Sequence, residues 1–562
     1  MLVYVEFRRI MAWIHMFLHS TDIYFTDYLY HLHTRFSMQN SARQTVSRMY
    51  MPFLNDLKIL PANPTQNYFC AQFHYAYICK YKRSFMVFSS LFFVFFFLAL
   101  NLIAYHFADG IKRKNMVLLG FSLVFYSWGG PKYLLLLLSM VFASWLFALL
   151  IDQYREEGLS KIFLICNCVF MLGLLCIFKY LTFFSSITNT IFHFPKEIPQ
   201  IALPIGISFY TFQLLSYVID VYREEVAPQR KFVNLLLYAS LFHQCIAGPI
   251  VRYQLVADEI ENRKVKTDEL YRGIKRFTIG LAKKAILANG CASVADTLVP
   301  TLAKDIVEIP AAGLWIGMLF YALQIYLDFS AYSDMAIGMG LMVGFHYDEN
   351  FNYPYISGSI KEFWNRWHIS LGTFFRDYVY IPLGGNRKGA RRRTINLLIV
   401  WGLTGFWHGA SWNFIFWGLY FFLFIYMENT FLLEKFSRLP RFVSHLYAMV
   451  VVYFGWVLFR CESLGNLGAI LKGMFGLNHN GFIDLSTSVL FQNNLYLLIF
   501  CIIASTPLLK NIGTYIKRLD LVHYRIPYLT YAYEIVIPPV LLILSLLALV
   551  GNSYNPFLYF QF

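Results

Sequence analysis

Long apolar segments, separated by short polar or basic stretches, follow one another from Met86 to the end of the chain. A segment of about 20 apolar residues can cross a hydrocarbon core of roughly 30 Å as a helix. The pattern therefore predicts an all-α polytopic membrane protein with about eleven to thirteen transmembrane or re-entrant helices. The predicted segments lie near residues 87–107, 116–129, 133–151, 161–182, 204–222, 232–250, 273–299, 311–345, 394–409, 411–430, 445–460, 493–509 and 532–551.

Not every predicted segment is a clean membrane span. Segment 311–345 is long and carries several polar residues, so we expect it to form two pieces. Several other segments are too short or too polar to cross the bilayer alone. We expect these to form tilted or re-entrant helices, because irregular backbone at membrane depth is tolerated only inside the protein.

The first 85 residues do not continue this pattern. They contain none of the 33 glycines of the chain but five of its 14 histidines, and they have no long apolar run. We expect the membrane domain to occupy residues 86–562, with Met86 as its natural start. Residues 1–85 are then an N-terminal extension that is not part of the native protein. A poorly ordered amphipathic N-terminal region is the alternative.

The composition supports the membrane interpretation. The chain is 58% hydrophobic and only 14% charged, whereas soluble domains carry about 25% charged residues. The net charge of +15 comes from basic clusters between apolar segments, which is typical of cytoplasmic loops. We therefore expect a lipid bilayer and no nucleic acid as partner. The nine cysteines are scattered and indicate no disulfide framework.

Basic clusters also predict the orientation of the chain. They lie at residues 112–114 and 263–276 and at Arg387–Arg393, where five of seven residues are Lys or Arg. Because cytoplasmic loops are enriched in these residues, we place all three clusters in the cytoplasm.

Candidate chemistry is concentrated between Lys361 and Gly409, where two histidines each follow a tryptophan. Helical spacing predicts that Trp364, His368 and Leu371 share one face. An aromatic cover would keep the imidazole of His368 neutral, as a general base must be. On the residues alone, a buried structural histidine explains the same pattern equally well.

The second histidine, His408, lies between two glycines in GFWHGA. Gly405 and Gly409 would let a substrate or another backbone approach closely, although close packing of helices through small residues explains them as well. Ser411 and Asn413 follow as possible hydrogen-bond donors to an oxyanion.

Other polar residues in apolar segments indicate structural roles. Asp328 and Asp334 are six residues apart and cannot share one helix face, so we expect each to cap a helix break or to pair with Arg or Tyr, and we expect no metal site. The polar residues of 203–225 and 244–253 are typical of a cavity lining. The sequence contains no P-loop, no dinucleotide-binding fingerprint, no HExxH and no G-x-S-x-G motif.

Two motifs carry a family resemblance. The runs FNYPYISGSIKEFWNRWHISLGTFFRDYVYIPLGGNRKG and WHGASWNFIFWG resemble the membrane-bound O-acyltransferase (MBOAT) family. The element YIPLGGNR at 380–387 resembles the bacterial branch that acetylates alginate, peptidoglycan and related polysaccharides. The D-alanyl-transferring branch shares the two histidine motifs but usually lacks this element. The resemblance extends from Met86 to the last residue.

The resemblance implies a fold and a set of site residues. The fold is a ring of tilted helices around a central funnel. The functional histidines map onto His408, as the catalytic base, and His368, as its essential partner. Asn365 and Arg366 become candidates for substrate binding. The chain ends in YNPFLYFQF, which resembles a terminal motif whose tyrosine accepts the acyl group, here Tyr559. An aromatic anchor at the membrane interface explains this ending equally well.

The function implied is transfer of an acetyl group from a cytoplasmic donor, acetyl-CoA or an acyl carrier, across the bacterial inner membrane for O-acetylation of a cell-surface or exported polysaccharide. No bound cofactor is expected. The family implies a relay to an extracytoplasmic transferase of the SGNH-hydrolase type. The alternatives are D-alanyl transfer to teichoic acid, and a polysaccharide or lipid transporter in which the histidines relay protons.

Overall fold

The computed structural model describes residues 86–192, 203–245, 248–432, 439–461, 463–523, 528–551 and 554–556. The predicted extension 1–85 and the candidate Tyr559 lie outside the described residues. The described part of the chain is helical and contains no β-strand. The prediction of an all-α membrane fold is therefore confirmed.

The described residues of the first half of the membrane domain form nine helices. They are α1 Phe93–Phe107, α2 Gly110–Trp128, α3 Pro131–Gln153, α4 Ser160–Phe192, α5 Ile207–Tyr222, α6 Phe232–Ser240, α7 Tyr253–Asn262, α8 Thr267–Ala282 and α9 Asn289–Leu298. A π-helical segment, Lys283–Ala288, joins α8 directly to α9.

The second half contains twelve helices within the described ranges. They are α10 Ala303–Ile306, α11 Ala311–Met342, α12 Ile360–Arg366, α13 Ile369–Phe375, α14 Gly389–His408, α15 Trp412–Met427, α16 Arg441–Arg460, α17 Leu464–Met474, α18 Leu485–Asn493, α19 Leu495–Ala504, α20 Leu508–His523 and α21 Tyr528–Gly551. A π-helical segment, Arg376–Tyr380, follows α13.

Only some of the described helices can cross a bilayer alone. Within the described ranges, six are long and apolar enough, and a seventh span results if the bent pair α18 and α19 is counted as one. Helices such as α5, with 16 residues, and α6, with nine, are too short. The prediction that several apolar segments are too short or too polar for clean spans is therefore confirmed.

The buried centre of the fold is helix α11. It is one continuous helix of 32 residues, about 48 Å long at 1.5 Å per residue, so the prediction of two pieces is wrong. In its most apolar stretch 83% of the residues are buried, against 11–39% in the other five candidate spans. Neighbouring helices surround α11, and their tertiary contacts outweigh the local effect of its serines and glycines.

Close packing of α8 against α11 depends on glycine. A Cβ atom on Gly338 would lie 2.7 Å from the carbonyl oxygen of Gly273, and a Cβ on Gly273 would lie 2.6 Å from the carbonyl oxygen of Gly338. A larger residue at either position would push the two helices apart, since no Cβ tolerates so short a contact. This is the small-residue packing that membrane helices use.

Ion pairs also hold α11 in place. Asp334 pairs with Arg276 at 2.9 Å and with Lys283 at 2.6 Å, and Asp328 pairs with Lys284 at 2.8 Å. Both carboxylates are therefore paired with basic groups, as expected for structural residues, although lysine contributes two of the three partners. Neither carboxylate caps a helix break, because α11 runs through both positions.

Side chains that the sequence suggested as cavity lining also form specific contacts. Asp220 of α5 accepts a hydrogen bond from the Tyr378 hydroxyl at 2.6 Å, and Arg252 forms an ion pair with Asp377. Partial burial alone would raise the pKa of Asp377. Hydrogen bonds from Arg376 and Arg252 outweigh this effect and hold that pKa below its ordinary value.

Candidate active site around two histidines

His368 lies at a sharp turn between two short helices. Helix α12 is capped by the Ser359 side chain, which accepts from the backbone N–H of Glu362, and it ends at Arg366. His368 then adopts the left-handed conformation, φ 45° and ψ 53°, as the N-cap of α13. Such a conformation costs a residue with a side chain on the order of 1 kcal/mol. The predicted common helix face of Trp364, His368 and Leu371 is therefore wrong, because the helix is broken between them.

Aromatic rings nevertheless cover His368, as expected. The Phe329 ring of α11 meets the imidazole edge to face at 4.7 Å between centroids, and the Trp407 indole lies at 5.9 Å. The His368 side chain is 2% exposed. The cover thus comes from distant parts of the chain, whereas the predicted Trp364 packs against other aromatic residues, namely Trp401, Trp417 and Phe421.

The two ring nitrogens of His368 have different environments. Nδ1 lies 3.1 Å from the side-chain oxygen of Asn350. Nε2 is fully buried and has no hydrogen-bond partner within the described residues. A buried nitrogen without a partner is costly, so it is a candidate for contact with a substrate.

His408 is the last residue of α14 and is also buried. Its imidazole meets the ring of Trp417 at 4.8 Å and that of Phe459 at 5.2 Å, both edge to face. Its Nδ1 is buried, and no described residue bonds to it. This second imidazole is thus enclosed by aromatic rings.

Gly405, one turn before His408, serves helix packing. A Cβ atom there would lie 2.4 Å from the carbonyl oxygen of Phe414 and 3.2 Å from the backbone of Gly418. Helices α14 and α15 therefore approach each other at a pair of glycines. This contact agrees with the packing explanation of Gly405 and fixes the position of His408 relative to α15.

Trp407 joins the two histidines. Its indole lies 5.9 Å from the imidazole of His368 and 4.9 Å from that of His408. It belongs to a hydrophobic cluster built around α5 and α6, whereas Phe329, Trp417 and Phe459 belong to a second cluster built around α11 and α16. The site therefore lies where the two buried clusters meet.

Lys179 of α4 is a further cation at this site. Its ammonium group donates a hydrogen bond to the carbonyl oxygen of Trp407 and lies 5.5 Å from the centre of the Trp407 ring. Lys179 thus bonds to the residue directly before His408, and both imidazoles contact the same indole. The sequence analysis missed Lys179, although a single lysine within the apolar run CIFKYL is the kind of signal that marks a functional site in a membrane.

The two predicted oxyanion donors differ in their surroundings. The Ser411 hydroxyl, at the N-cap of α15, is buried and has no partner within the described residues. The amide nitrogen of Asn413 donates to the carbonyl oxygen of Cys461, which links α15 to the end of α16. Ser411 thus retains a donor for a ligand, whereas the donor of Asn413 is engaged in holding the fold.

Asn365 and Arg366 lie on the short helix that precedes His368. Asn365 is exposed. The guanidinium of Arg366 donates to Glu362 and to the carbonyl oxygen of Asn352, both at 3.0 Å. These bonds hold the turn next to His368, and a role of either residue in substrate binding stays a prediction.

The described residues just before Tyr559 are bound within the membrane domain. The Asn555 amide donates to Ser89 at 3.1 Å and accepts from Asn289 at 3.2 Å. Lys284 donates to the carbonyl oxygen of Pro556, and the same ammonium forms the buried ion pair with Asp328. This segment, residues 554–556, is called the docked tail below.

A helical membrane protein with two of its histidines buried in one aromatic site has the features of an integral membrane enzyme. Comparison with known protein families identifies the class of enzyme. The model of the membrane-bound O-acyltransferase family, MBOAT, matches residues 225–470, a range that includes both histidines. The chain belongs to the membrane-bound O-acyltransferase family, and it is an acyltransferase.

Individual relatives support this assignment. The chain is 37% identical to the probable alginate O-acetylase AlgI of Azotobacter vinelandii over 507 residues, which cover 85% of this chain and 100% of that protein. It is 33% identical to a peptidoglycan O-acetyltransferase of Helicobacter pylori over 427 residues, 70% of this chain and 80% of the relative. It is 31% identical to a teichoic acid D-alanyltransferase of Bacillus subtilis over 275 residues, 45% and 68% of the two chains.

Proposed function

We propose that this protein moves an acetyl group from acetyl-CoA in the cytoplasm across the bacterial inner membrane for O-acetylation of a cell-surface or exported polysaccharide. The main support for the proposal is that the imidazoles of His368 and His408 both contact the Trp407 indole in one buried site. The O-acetyltransferase relatives match more of this chain than the D-alanyltransferases do, which supports acetyl as the transferred group.

The proposed chemistry needs a base, a nucleophile and a group that stabilises negative charge. His408 accepts the proton of the attacking hydroxyl, whose oxygen then bonds to the acetyl carbon of the thioester. Ser411 and the ammonium of Lys179 are candidates to stabilise the oxyanion that develops on the carbonyl. When the tetrahedral intermediate collapses, the carbon–sulfur bond breaks and coenzyme A takes up the proton from His408.

Tyr559 is the proposed first acceptor. A phenol has a pKa of about 10, so a neighbouring base is needed to make it a nucleophile near neutral pH. The docked tail supports this role, because it holds the chain three residues before Tyr559 within the membrane domain. An extracytoplasmic transferase of the SGNH-hydrolase type then takes the acetyl group from tyrosine and passes it to the polysaccharide.

Mass spectrometry after incubation with isotopically labelled acetyl-CoA tests the proposal. We expect one labelled acetyl group on the C-terminal peptide of the wild type and none after Tyr559→Phe or His408→Ala. Tyr496→Phe is the control, since that tyrosine is exposed and lies outside the docked tail, and it should retain the label. Label on another peptide would refute Tyr559 as the acceptor. Failure of the wild type to take label would refute the acetyl-CoA relay.

D-alanyl transfer is the second candidate, because a D-alanyltransferase matches 45% of the chain. Incubation with a D-alanyl carrier protein in place of acetyl-CoA separates the two, since only one donor should label the tail. A transporter without acyl chemistry is not supported, because the chain belongs to an acyltransferase family.

A further inference from the structure

The environment of Asn350 determines which nitrogen of His368 carries a proton. Asn350 lies between α11 and α12 and is 0% exposed. Its side-chain oxygen lies 3.1 Å from Nδ1 of His368, 2.9 Å from the hydroxyl of Ser370 and 3.2 Å from the backbone nitrogen of Ser370. Its amide nitrogen lies 3.2 Å from the hydroxyl of Ser333 on α11. Every polar atom of the Asn350 side chain therefore has a partner.

The orientation of the Asn350 amide follows from these partners. The backbone N–H of Ser370 can only donate, so the atom facing it must be the amide oxygen. The Ser370 hydroxyl accepts from the backbone N–H of Ile250 at 3.0 Å, which leaves its proton for the same oxygen. A rotated amide would place its NH₂ group against the Ser370 N–H, two donors facing each other. The backbone N–H of Ser370 thus identifies the facing atom of the Asn350 amide as its oxygen.

This orientation fixes the tautomer of His368. The Asn350 oxygen accepts only, so Nδ1 of His368 must carry the proton that lies between them. An unprotonated Nδ1 would place a second acceptor against that oxygen. The Ser370 hydroxyl lies 3.4 Å from Nδ1 and cannot supply the missing proton, because it donates to the Asn350 oxygen at 2.9 Å. Nε2 of neutral His368 therefore bears the lone pair, and it is the buried nitrogen to which no described residue forms a hydrogen bond.

Asn350 also fixes the backbone of the same turn. Its carbonyl oxygen accepts from the N–H of Ile369 at 3.0 Å, directly after the left-handed His368. One residue thus holds the strained turn through its main chain and the imidazole through its side chain. In metal sites, an outer residue that orients a ligating histidine in this way typically affects activity by about 10- to 100-fold, and we expect an effect of this size here.

We propose that Asn350 is a positioning residue that holds His368 as the Nδ1–H tautomer, so that Nε2 presents a hydrogen-bond acceptor in the acyl-transfer site. The role in catalysis rests on the proposed function, in which His368 is the partner of His408. The proton of the attacking hydroxyl goes to His408, and the acceptor at Nε2 stabilises the charge that His408 then carries. The opposite tautomer would present a donor to that cation.

The first experiment is ¹⁵N NMR of the full chain, labelled with ¹⁵N-histidine, in lipid bilayers at neutral pH. The His368 signals are assigned by their loss in His368→Gln. We expect a protonated Nδ1 and an unprotonated Nε2 in the wild type. A protonated Nε2 in neutral His368 would overturn the proposal whatever the enzymatic activity, so this measurement is independent of the proposed function.

Three variants then test whether Asn350 orients His368 or only stabilises the fold. Asn350→Leu removes the acceptor but keeps the number and branching of the side-chain heavy atoms, and we expect loss of the single tautomer and an acetyl-transfer rate about 10- to 100-fold lower, with little change in KM for acetyl-CoA. Ser333→Ala removes the partner at the other end of the same amide, and it should keep both the tautomer and the rate. Asn350→Asp keeps the acceptor and should keep the Nδ1–H signal.

Asn350→Asp gives a second readout, the pH–rate profile, which keeps the proposal testable even if Asn350→Leu fails to fold. A carboxylate at residue 350 stabilises protonated His368, so the acid limb of the pH–rate profile should move to higher pH than in the wild type. An unchanged acid limb would contradict the catalytic role of the contact. A wild type that has the expected tautomer but transfers no acetyl group would instead count against the proposed function.

Discussion

Asp328 and Phe329 are neighbours on α11, yet one lies at the docked tail and the other at the candidate active site. Asp328 pairs with Lys284 beneath the docked tail, and the Phe329 ring covers His368. Successive residues of a helix point about 100° apart, so one turn of α11 contacts both places. The proposed acceptor segment and the buried histidine therefore share one rigid support.

Removal of the His408 imidazole should abolish acetyl transfer. We expect His408→Ala to lower the rate by about 100-fold or more, because a general base contributes on this scale. His346→Ala is the control, since that imidazole is half exposed and pairs with Glu259 away from the site. Both variants should insert into the membrane normally, as measured by their yield in membrane fractions. Normal acetylation by His408→Ala would refute the role of His408.

Lys179→Met should lower the rate while leaving the protein folded. Methionine keeps most of the side-chain volume but cannot donate to the carbonyl oxygen of Trp407, the residue directly before His408. We expect a fall in kcat of about 10-fold or more, since a donor to developing charge is worth at least this much. Lys161→Met, an exposed lysine at the start of the same helix, should have the activity of the wild type. Equal rates for the two variants would exclude a role for the Lys179 ammonium.

Gly405→Ala should disturb the site through packing. The new Cβ would lie 2.4 Å from the carbonyl oxygen of Phe414, so α14 and α15 must separate. Such overpacking costs about 1–3 kcal/mol, and we expect a lower temperature of thermal unfolding and reduced acetyl transfer. Gly402→Ala is the matched control on the same helix, because nothing lies within 4 Å of its added Cβ. The prediction fails if both variants unfold at the same temperature.

Lys284→Met should destabilise the protein and release the docked tail. It leaves the buried Asp328 carboxylate without its ammonium partner, a change that typically costs about 3–5 kcal/mol, and it removes the bond to Pro556. We expect a lower unfolding temperature and faster digestion of the C-terminus by carboxypeptidase. In Lys284→Met/Asp328→Leu part of the stability should return, because the carboxylate that lost its ammonium partner is removed as well. Equal stability of the single variant and the wild type would rule out this account.

The sequence alone was sufficient for the helical membrane fold and the family, and it singled out two histidines as candidates. Apolar segments report membrane helices directly, because lipid leaves the backbone no other partners. His368 and His408 could be found because each is an ionisable group within apolar surroundings. Pairing with an arginine was one of the expected roles of Asp334, and its contact with Arg276 agrees with that expectation, whereas its lysine partner was not predicted.

What the sequence could not supply depends on contacts between distant residues. The turn at His368 is held by Asn350, 18 residues earlier in the chain, and regular helical spacing gave no indication of it. Lys179 reaches Trp407 across 228 residues. The continuity of α11 likewise results from helices packed around it rather than from its own residues. Tertiary contacts decided each of these features.

Helix α4 has a consequence for the surroundings of the reaction. Only 17% of its most apolar stretch is buried, and Ile177 and Phe184 on either side of Lys179 are about half exposed. The wall that separates Trp407 and its two histidines from the bilayer is therefore a single helix thick here, about 10 Å. Lipid chains against the outer face of α4 would form the next layer around the candidate site, so we expect the rate of acetyl transfer to depend on the thickness and fluidity of the bilayer.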